Sequence, residues 1–162
     1  MNTFRRILVP VDFSEASRAA LDEAVRIARD SWGTIDLLHA WELPPLLPPD
    51  LLLVQAGEMR GTLGEVAREQ ARVPLEKLRN EVAGLGAGVR AFLVRGDASR
   101  AILEHARRHG NDIIVMGTHG RTGMAHAFLG SVAEKVVRRA GCPVLTVHAA
   151  KDAESTRSAG AA

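Results

Sequence analysis

The sequence is poor in cysteine and has no long apolar run, and both shortages exclude classes of protein. Cys142 is the only cysteine among 162 residues, so no disulfide can form within the chain. Together with the lack of a recognisable secretory leader, this indicates a reducing, cytoplasmic setting. No apolar run approaches the roughly 20 residues that cross a bilayer, so we expect no membrane partner.

Aromatic residues and excess positive charge are both too scarce for a nucleic-acid surface. The chain has four Phe, two Trp and no Tyr, which is too few for a base-stacking platform. Its 21 basic and 19 acidic residues give a net charge of +2 and form no basic cluster. We therefore expect no nucleic-acid partner.

The composition that is present is that of one globular domain. Hydrophobic residues make up 46% and charged residues 25% of the chain. A length of 162 residues suits a single domain. We assign residues 1–148 to that domain and predict that the small, polar stretch 149–162 is a disordered tail.

Buried-strand patterns and helical patterns alternate along the chain. Short apolar runs, typical of strands buried on both faces, lie at 6–12, 34–41, 89–95, 111–117 and 144–147. Helical spacing follows at 14–30, 62–85, 98–109 and 131–140, with Ser14, Asp97 and Ser131 as predicted N-caps and Glu134 completing a capping box with Ser131. This order predicts an α/β fold, a single Rossmann-like domain with a five-stranded parallel sheet and helices on both faces.

Prolines interrupt the pattern in two places. Pro44, Pro45, Pro48 and Pro49 fall within the segment 42–61, which also carries an apolar run at 51–54. We predict a long loop whose leucines fold back on the core, and the alternative is a partner-binding or lid segment. Pro74 predicts a kink or a break in the helix that spans 62–85.

Ligands in parallel sheets bind at the carboxyl ends of the strands, where the strand order reverses. Here Gly117 and Gly120 follow the fourth strand, and Gly130 precedes a helix start at Ser131. Helix N-termini and glycine-rich backbone favour phosphate. On spacing alone the alternative stays open that the glycines only shape turns and that Ser131 only caps a helix.

A longer signature joins these segments: Gly117, two residues, Gly120, nine residues, then Gly130 and Ser131. The opening ILVPVDFSE at 7–15 and the segments 130–137 and 142–145 complete the pattern. In these features the chain, over residues 5–147, resembles the universal stress protein family, in the subset that binds ATP. The resemblance implies the adenine nucleotide alpha hydrolase-like variant of the Rossmann-like fold.

The resemblance implies a role in ATP binding for each matched position. Those residues are Pro10, Val11, Asp12, Ala40, Met116, Gly117, His119, Gly120, Arg121, Gly130, Ser131 and Val132. Asp12 and Ala40 would meet the adenosine end, Met116 and Gly117 the ribose, and the remainder from 119 to 132 the phosphates. Mg²⁺ would bind to the phosphates, and we expect neither protein metal ligands nor catalytic residues. From the residues alone, Asp12 could instead accept N–H groups at a helix start.

The implied function is an ATP-binding regulatory switch or sensor in the stress response, with weak ATP hydrolysis at most. The chain has no P-loop, and its lysines are only Lys77, Lys135 and Lys151. One alternative is a dimeric interaction module that ignores nucleotides. Another is an adenylating enzyme, although residues 11–14 lack the Ser-Gly-Gly loop of that group. A phosphoacceptor receiver is disfavoured because a second acid beside Asp12 is missing.

The last predicted strand, Val144 to Val147, is apolar and uncharged, so as an open edge it would invite pairing. By resemblance we expect it to pair with its counterpart in a homodimer. Three of the few aromatic residues, Phe13, Trp41 and Phe128, fall in the segments expected around the nucleotide.

Overall fold

Strands and helices alternate along the chain in the predicted order, with one addition. A computed structural model describes residues 4–55, 57–118 and 129–149. Its elements are β1 (Arg6–Pro10), α1 (Glu15–Ser31), β2 (Thr34–Trp41), β3 (Leu52–Gln55), β4 (Glu58–Thr62), α2 (Leu63–Gly84), β5 (Gly88–Arg95), α3 (Ala98–His109), β6 (Ile113–Gly117), α4 (Ser131–Arg139) and β7 (Val144–Val147). The predicted tail from residue 150 onward lies outside the described residues.

The main sheet has five parallel strands in the order β5-β2-β1-β6-β7. Ile7, in the central strand β1, pairs with Ile35 of β2 on one side and with Ile113 of β6 on the other. The chain thus adds β2 and β5 on one side of β1. It then crosses back and adds β6 and β7 on the other side. The strand order reverses between β1 and β6, which is where such sheets bind their ligands. The predicted fold class is confirmed.

The unbroken apolar runs of the strands are explained by burial on both faces of the sheet. Ile7 and Val9 pack in one core with α1 and α2, whereas Leu8 packs in a second core with α3 and α4. All three side chains are completely buried. Because successive side chains of a strand point to opposite faces, a strand between two helical layers must be apolar at every position.

Two of the three predicted N-caps are confirmed. The Ser14 hydroxyl accepts from the Ser17 N–H, and the Asp97 carboxylate accepts from the Arg100 N–H at 2.8 Å. The prediction for Ser131 is wrong, since Gly130 is the N-cap and Ser131 is the first residue of α4, without a capping box. The Gly130 N–H donates to the Thr118 carbonyl at 2.7 Å and Gly130 has extended backbone, so α4 begins at Ser131, one residue earlier than predicted.

The capping box belongs to α2 instead. Thr62 is its N-cap, the Thr62 side chain accepts from the Glu65 N–H, and the Glu65 carboxylate accepts from the Thr62 N–H at 2.8 Å. These bonds lower the pKa of Glu65 below its usual value. The predicted break at Pro74 is absent, because α2 runs without interruption through that residue.

The segment 42–61 is a loop, as predicted, only in its first half, where residues 42–51 form no helix or strand. It contains an antiparallel hairpin, β3 and β4, with Gly57 in the turn at a φ of 81°. The prediction that its leucines fold back on the core is also wrong: Leu46 is 93% exposed and Leu52 is 60% exposed. No helix among the described residues is both long enough and apolar enough to cross a membrane.

Candidate functional site

A cavity of about 200 Å³ opens at the carboxyl ends of β1 and β6, at the reversal of strand order. The predicted nucleotide-binding residues that line it are Pro10, Val11, Asp12, Ala40, Met116, Gly117, Gly130, Ser131 and Val132. The other three, His119, Gly120 and Arg121, lie outside the described residues, as does Phe128. Residues that are far apart in sequence therefore meet around one space.

Sequence reasoning missed part of the wall of this cavity. The additional lining residues are Ser17, Leu38, Ala98, Ile102, Thr118 and Ala133. Leu38 and Ile102 are buried core residues as well, so their apolar pattern predicted packing but not a share in a cavity. Only Thr118, inside the glycine signature, carried a local signal for the site.

The cavity combines an apolar wall with one carboxylate. Leu38, Ile102 and Met116 supply aliphatic and thioether surface, which suits a flat heterocycle. Among the lining residues that the structure describes, Asp12 is the only one that carries a charge. Trp41 is not among these residues, and its ring instead faces the Arg95 guanidinium, 5.8 Å from the ring centroid. Trp41, one of the aromatic residues expected around the nucleotide, is therefore not part of the described wall.

Asp12 is held in a tight turn between β1 and α1. Its Oδ1 accepts from the backbone N–H of Ser14 at 3.1 Å and from the Ser14 hydroxyl. The structure therefore contains the alternative role predicted for Asp12, a carboxylate at a helix start. This role is compatible with a ligand contact, because a carboxylate has further acceptor positions.

The backbone of this turn is strained and is held from β2. Phe13 has a φ of 65°, in the left-handed region, at a cost of about 1–2 kcal/mol for a residue with a side chain. His39 of β2 donates from Nδ1 to the Val11 carbonyl at 2.7 Å, and its ring lies 4.6 Å from the Phe13 ring. Sequence reasoning did not identify His39, although it is the residue that ties the Asp12 turn to the neighbouring strand.

Gly117 has a packing role that its place in the glycine signature did not reveal. A Cβ atom at this position would lie 2.7 Å from the carbonyl carbon of Ala16 and 2.9 Å from the Ser17 nitrogen. These are backbone atoms at the start of α1, which cannot rotate away. Glycine at this position therefore lets β6 approach α1, independently of any ligand.

The opposite side of the cavity is formed by the start of α4. Gly130 has extended backbone, with a φ of −67°, and α4 begins at the next residue. The first N–H groups of a helix have no partners within it, and they carry the positive end of the helix dipole. Ser131 does not cap the helix, so its hydroxyl adds a further hydrogen-bonding group beside them. The arrangement can bind an anion such as phosphate.

Cys142 does not provide a reactive nucleophile. The pKa of its thiol is raised by burial and by the nearby Asp112 carboxylate. A raised pKa reduces the fraction of thiolate, which is the reactive form.

Comparisons with known proteins agree with the resemblance in sequence. The model of the universal stress protein family matches residues 3–148. Universal stress protein MJ0577 of Methanocaldococcus jannaschii is 32% identical over 153 residues, covering 89% of this chain and 94% of that protein. A universal stress protein of Thermus aquaticus is 36% identical over 146 residues, covering 89% of this chain and 98% of that protein.

Solved structures show the same fold. UspA of Lactobacillus plantarum superposes with a TM-score of 0.72 at 25% identity, covering 91% of this chain and 99% of that one. A universal stress protein in complex with cAMP gives 0.68 at 23% identity, covering 92% and 100%. A family member from Arabidopsis thaliana with AMP bound gives 0.62 at 22%, covering 91% and 94%. With a family model that matches nearly its whole length, the chain belongs to the universal stress protein family.

Proposed function

We propose that this protein binds ATP in the cavity between β1 and β6 and acts as a nucleotide-dependent regulatory switch in the stress response. The observation that carries the proposal is the convergence of Asp12, Met116 and the Gly130–Ser131 helix start on one apolar cavity. An apolar wall suits adenine, and the start of α4 suits phosphate. A helix start and glycine backbone can bind the phosphates of one small nucleotide without a basic surface.

Two fold neighbours give the proposal independent support. One was solved with cAMP and the other with AMP, and both ligands are adenine nucleotides. For this chain we favour ATP because the complete glycine signature, including Gly120 and Gly130, supplies backbone for a chain of phosphates. In this proposal Pro10, Val11, Asp12 and Ala40 hold the adenosine end.

The phosphate end is assigned to the segments after β6 and before α4. Met116 and Gly117 lie along the ribose, His119, Gly120 and Arg121 serve the inner phosphates, and residues 130–132 hold the outer ones. The described wall offers one carboxylate, Asp12, which is too few for a protein cage around Mg²⁺. The cation is therefore held chiefly by the ATP phosphates, whose charge it neutralises.

The proposed activity is binding, with slow hydrolysis at most. Phosphoryl transfer needs a group to orient the nucleophile and added positive charge on the transition state. Among the described residues that line the cavity there is no Lys, Arg or His. Rapid multiple-turnover ATP hydrolysis by the purified chain would contradict a regulatory role without dedicated chemistry.

Calorimetric titration with ATP tests the phosphate end, using Gly130→Val and Gly141→Val as a matched pair. Gly130 has a φ of −67°, which valine adopts without backbone strain, and the added side chain would crowd the proposed phosphate space. Gly141 has open space around its Cβ position and lies beyond the end of α4, so it serves as the control. We expect Gly130→Val to bind ATP at least about tenfold more weakly, a loss of about 1.4 kcal/mol.

Equal ATP affinity in native chain and Gly130→Val would overturn the assignment of the phosphate end. Titrations with AMP and cAMP separate ATP from a shorter ligand. A native chain that binds AMP or cAMP as tightly as ATP would remove the reason to assign the outer phosphates to residues 130–132.

We also propose that the protein is a homodimer that pairs through β7. This strand closes the sheet on one side, and no described strand lies beyond it. Its Leu145 side chain is 36% exposed, and Val137 of the adjacent α4 is 47% exposed. Pairing with a second copy would cover both the open backbone edge and this apolar surface. A dimer that ignores nucleotides is the alternative that the ATP titration distinguishes.

A further inference from the structure

A second cluster of polar side chains lies away from the nucleotide cavity, between β2, β5 and the last turns of α3. Its centre is Asp36 of β2, whose side chain is only 1% exposed. Around it lie Arg90 of β5, His105 and His109 of α3, and Asn111 in the turn that follows. None of these residues lines the nucleotide cavity.

The Asp36 carboxylate accepts hydrogen bonds from three side chains of this cluster. It accepts from Arg90 Nε at 2.9 Å, from Asn111 Nδ2 at 3.0 Å and from His105 Nε2 at 3.2 Å. Burial alone would raise the pKa of Asp36, but the hydrogen bonds from His105, Arg90 and Asn111 outweigh it and lower the pKa to about 2.

The two histidines are placed on the same side of α3, one turn apart. Their rings stack, with centroids 4.0 Å apart and an interplanar angle of 20°. Phe92 packs against His105 with a ring-centroid distance of 4.4 Å, which fixes the inner ring in place. The His109 ring also contacts the Phe92 ring, at a centroid distance of 5.1 Å, but His109 is exposed, so solvent reaches the cluster at this side chain.

The ligand atoms of Asp36, His105 and His109 lie close to the spacing of a metal site. One nitrogen from each histidine and one carboxylate oxygen all fall within 4.8 Å of one another. Two ligands of a tetrahedral zinc ion, each bound at 2.0–2.1 Å, lie about 3.3 Å apart. The 3.2 Å between His105 Nε2 and Asp36 Oδ2 already matches that value, so among the three ligands only His109 has to move.

We propose that Asp36, His105 and His109 form a binding site for a borderline divalent transition-metal ion such as Zn²⁺. Two imidazoles and one carboxylate are ligands that this class of ion prefers, and the exposed side leaves a fourth position for water. The ion takes the place of the proton on His105 Nε2 that now bridges to Asp36. Asn111 remains as the residue that orients the carboxylate.

Arg90 is the residue that has to yield on metal binding. Its side chain is 53% exposed, so the guanidinium can turn toward solvent when a divalent cation neutralises Asp36. A purely structural ion pair would need Arg90, His105 and Asn111 around Asp36, and it leaves His109 only its ring contacts with His105 and Phe92. The metal site accounts for both histidines.

The Zn²⁺ affinity of this site can be measured by competition between the purified full chain and a chromophoric zinc chelator. No nucleotide is added. The variant is His109→Gln, and the matched control is His148→Gln, which removes a histidine that follows β7 at the opposite edge of the sheet. Because His109 is exposed, its replacement leaves the core intact. We expect His109→Gln to weaken Zn²⁺ binding about 10- to 100-fold and the control to match the native chain.

Cobalt gives a second readout, since Co²⁺ in a tetrahedral site with histidine ligands absorbs in the visible range. The native chain and His148→Gln should develop these bands, and His109→Gln should lose them. Equal Zn²⁺ affinity in the native chain and His109→Gln would overturn the proposal. Equal losses in both variants would also overturn it, since that result indicates general binding by histidines.

Discussion

At the scale of single residues, Gly117 is determined by two independent requirements. Its backbone lines the cavity, and its missing Cβ allows the start of α1 to pack against β6. The sequence motif shows that a glycine is present at this position. It does not show whether ligand binding or packing requires the glycine. Loss of ligand binding in a Gly117 variant would therefore not identify a ligand contact.

The packing role of Gly117 predicts a loss of stability without any ligand present. We expect Gly117→Ala to lower the free energy of unfolding by about 1–3 kcal/mol, because the added methyl group meets the backbone of Ala16 and Ser17. Urea unfolding of the nucleotide-free protein measures this. Gly141→Ala, at a position with open space, is the control and should change stability by less than about 0.5 kcal/mol. Equal stability in both variants would show that β6 and α1 can move apart.

The residues of the candidate site differ in how far sequence could predict them. Asp12, Gly130 and Ser131 belong to a recognisable pattern, and the structure brings all three to the cavity. His39 could not be found in this way. It belongs to an apolar strand, and its bond to the Val11 carbonyl joins residues 28 positions apart. Contacts of this kind depend on strand register, which becomes visible only in the folded chain.

At the scale of the elements, the helix caps distinguish Ser131 from Asp97. Asp97 caps α3 through its side chain, whereas Ser131 lies inside α4 and caps nothing. The sequence signal was similar in both cases. The difference comes from the Thr118 carbonyl, which binds the Gly130 N–H and shifts the helix start by one residue.

These caps predict opposite effects of two alanine substitutions. Asp97→Ala should lower the free energy of unfolding by about 1 kcal/mol, because the Arg100 N–H loses its acceptor. Ser131→Ala should leave stability nearly unchanged and weaken ATP binding, because its hydroxyl is proposed to contact phosphate. Chemical denaturation and calorimetry on the same two variants measure both effects. If Ser131→Ala destabilised the protein as much as Asp97→Ala, the corrected helix start would be wrong.

The β3–β4 hairpin marks the limit of prediction at the element scale. Prolines and leucines dominate the segment before it, and no side chain that the structure describes in its two strands is buried. The apolar patterns of helices and parallel strands arise because these elements are buried against a core. The sequence therefore predicted β1, β2 and α3. In the hairpin the apolar side chains of Leu52 and Met59 are exposed. Its strands are not packed against the core, so their sequence has no apolar pattern from which they could be predicted.

At the scale of the whole molecule, the open edge of β7 determines how two copies could join. The carbonyls of Pro143 and Val147 accept hydrogen bonds from β6-side residues, so their backbone groups point inward. Since these groups alternate along a strand, those of Val144 and Thr146 point toward the open edge. A second β7 would pair with these groups.

This geometry predicts the effect of a proline in β7. Thr146→Pro removes one outward N–H and leaves the bonds to β6 intact, as is typical of edge strands. We expect it to shift the protein toward monomer in sedimentation experiments, while Thr146→Val, which keeps the N–H, stays dimeric. A native protein that sediments as a monomer at micromolar concentration would contradict the proposed dimer. A Thr146→Pro protein as dimeric as the native one would place the interface elsewhere.

The central place of β1 also has a consequence for the order of folding. β1 pairs with β2 after about one helix of chain, but its other neighbour, β6, begins only at Ile113. During synthesis one half of the sheet can therefore form while the other edge of β1 stays unpaired. Such a late, long-range closure is slow and exposes an aggregation-prone edge. Because the cavity takes its wall from both halves, we expect that a ligand binds only after β6 has docked and then protects the completed chain from reopening.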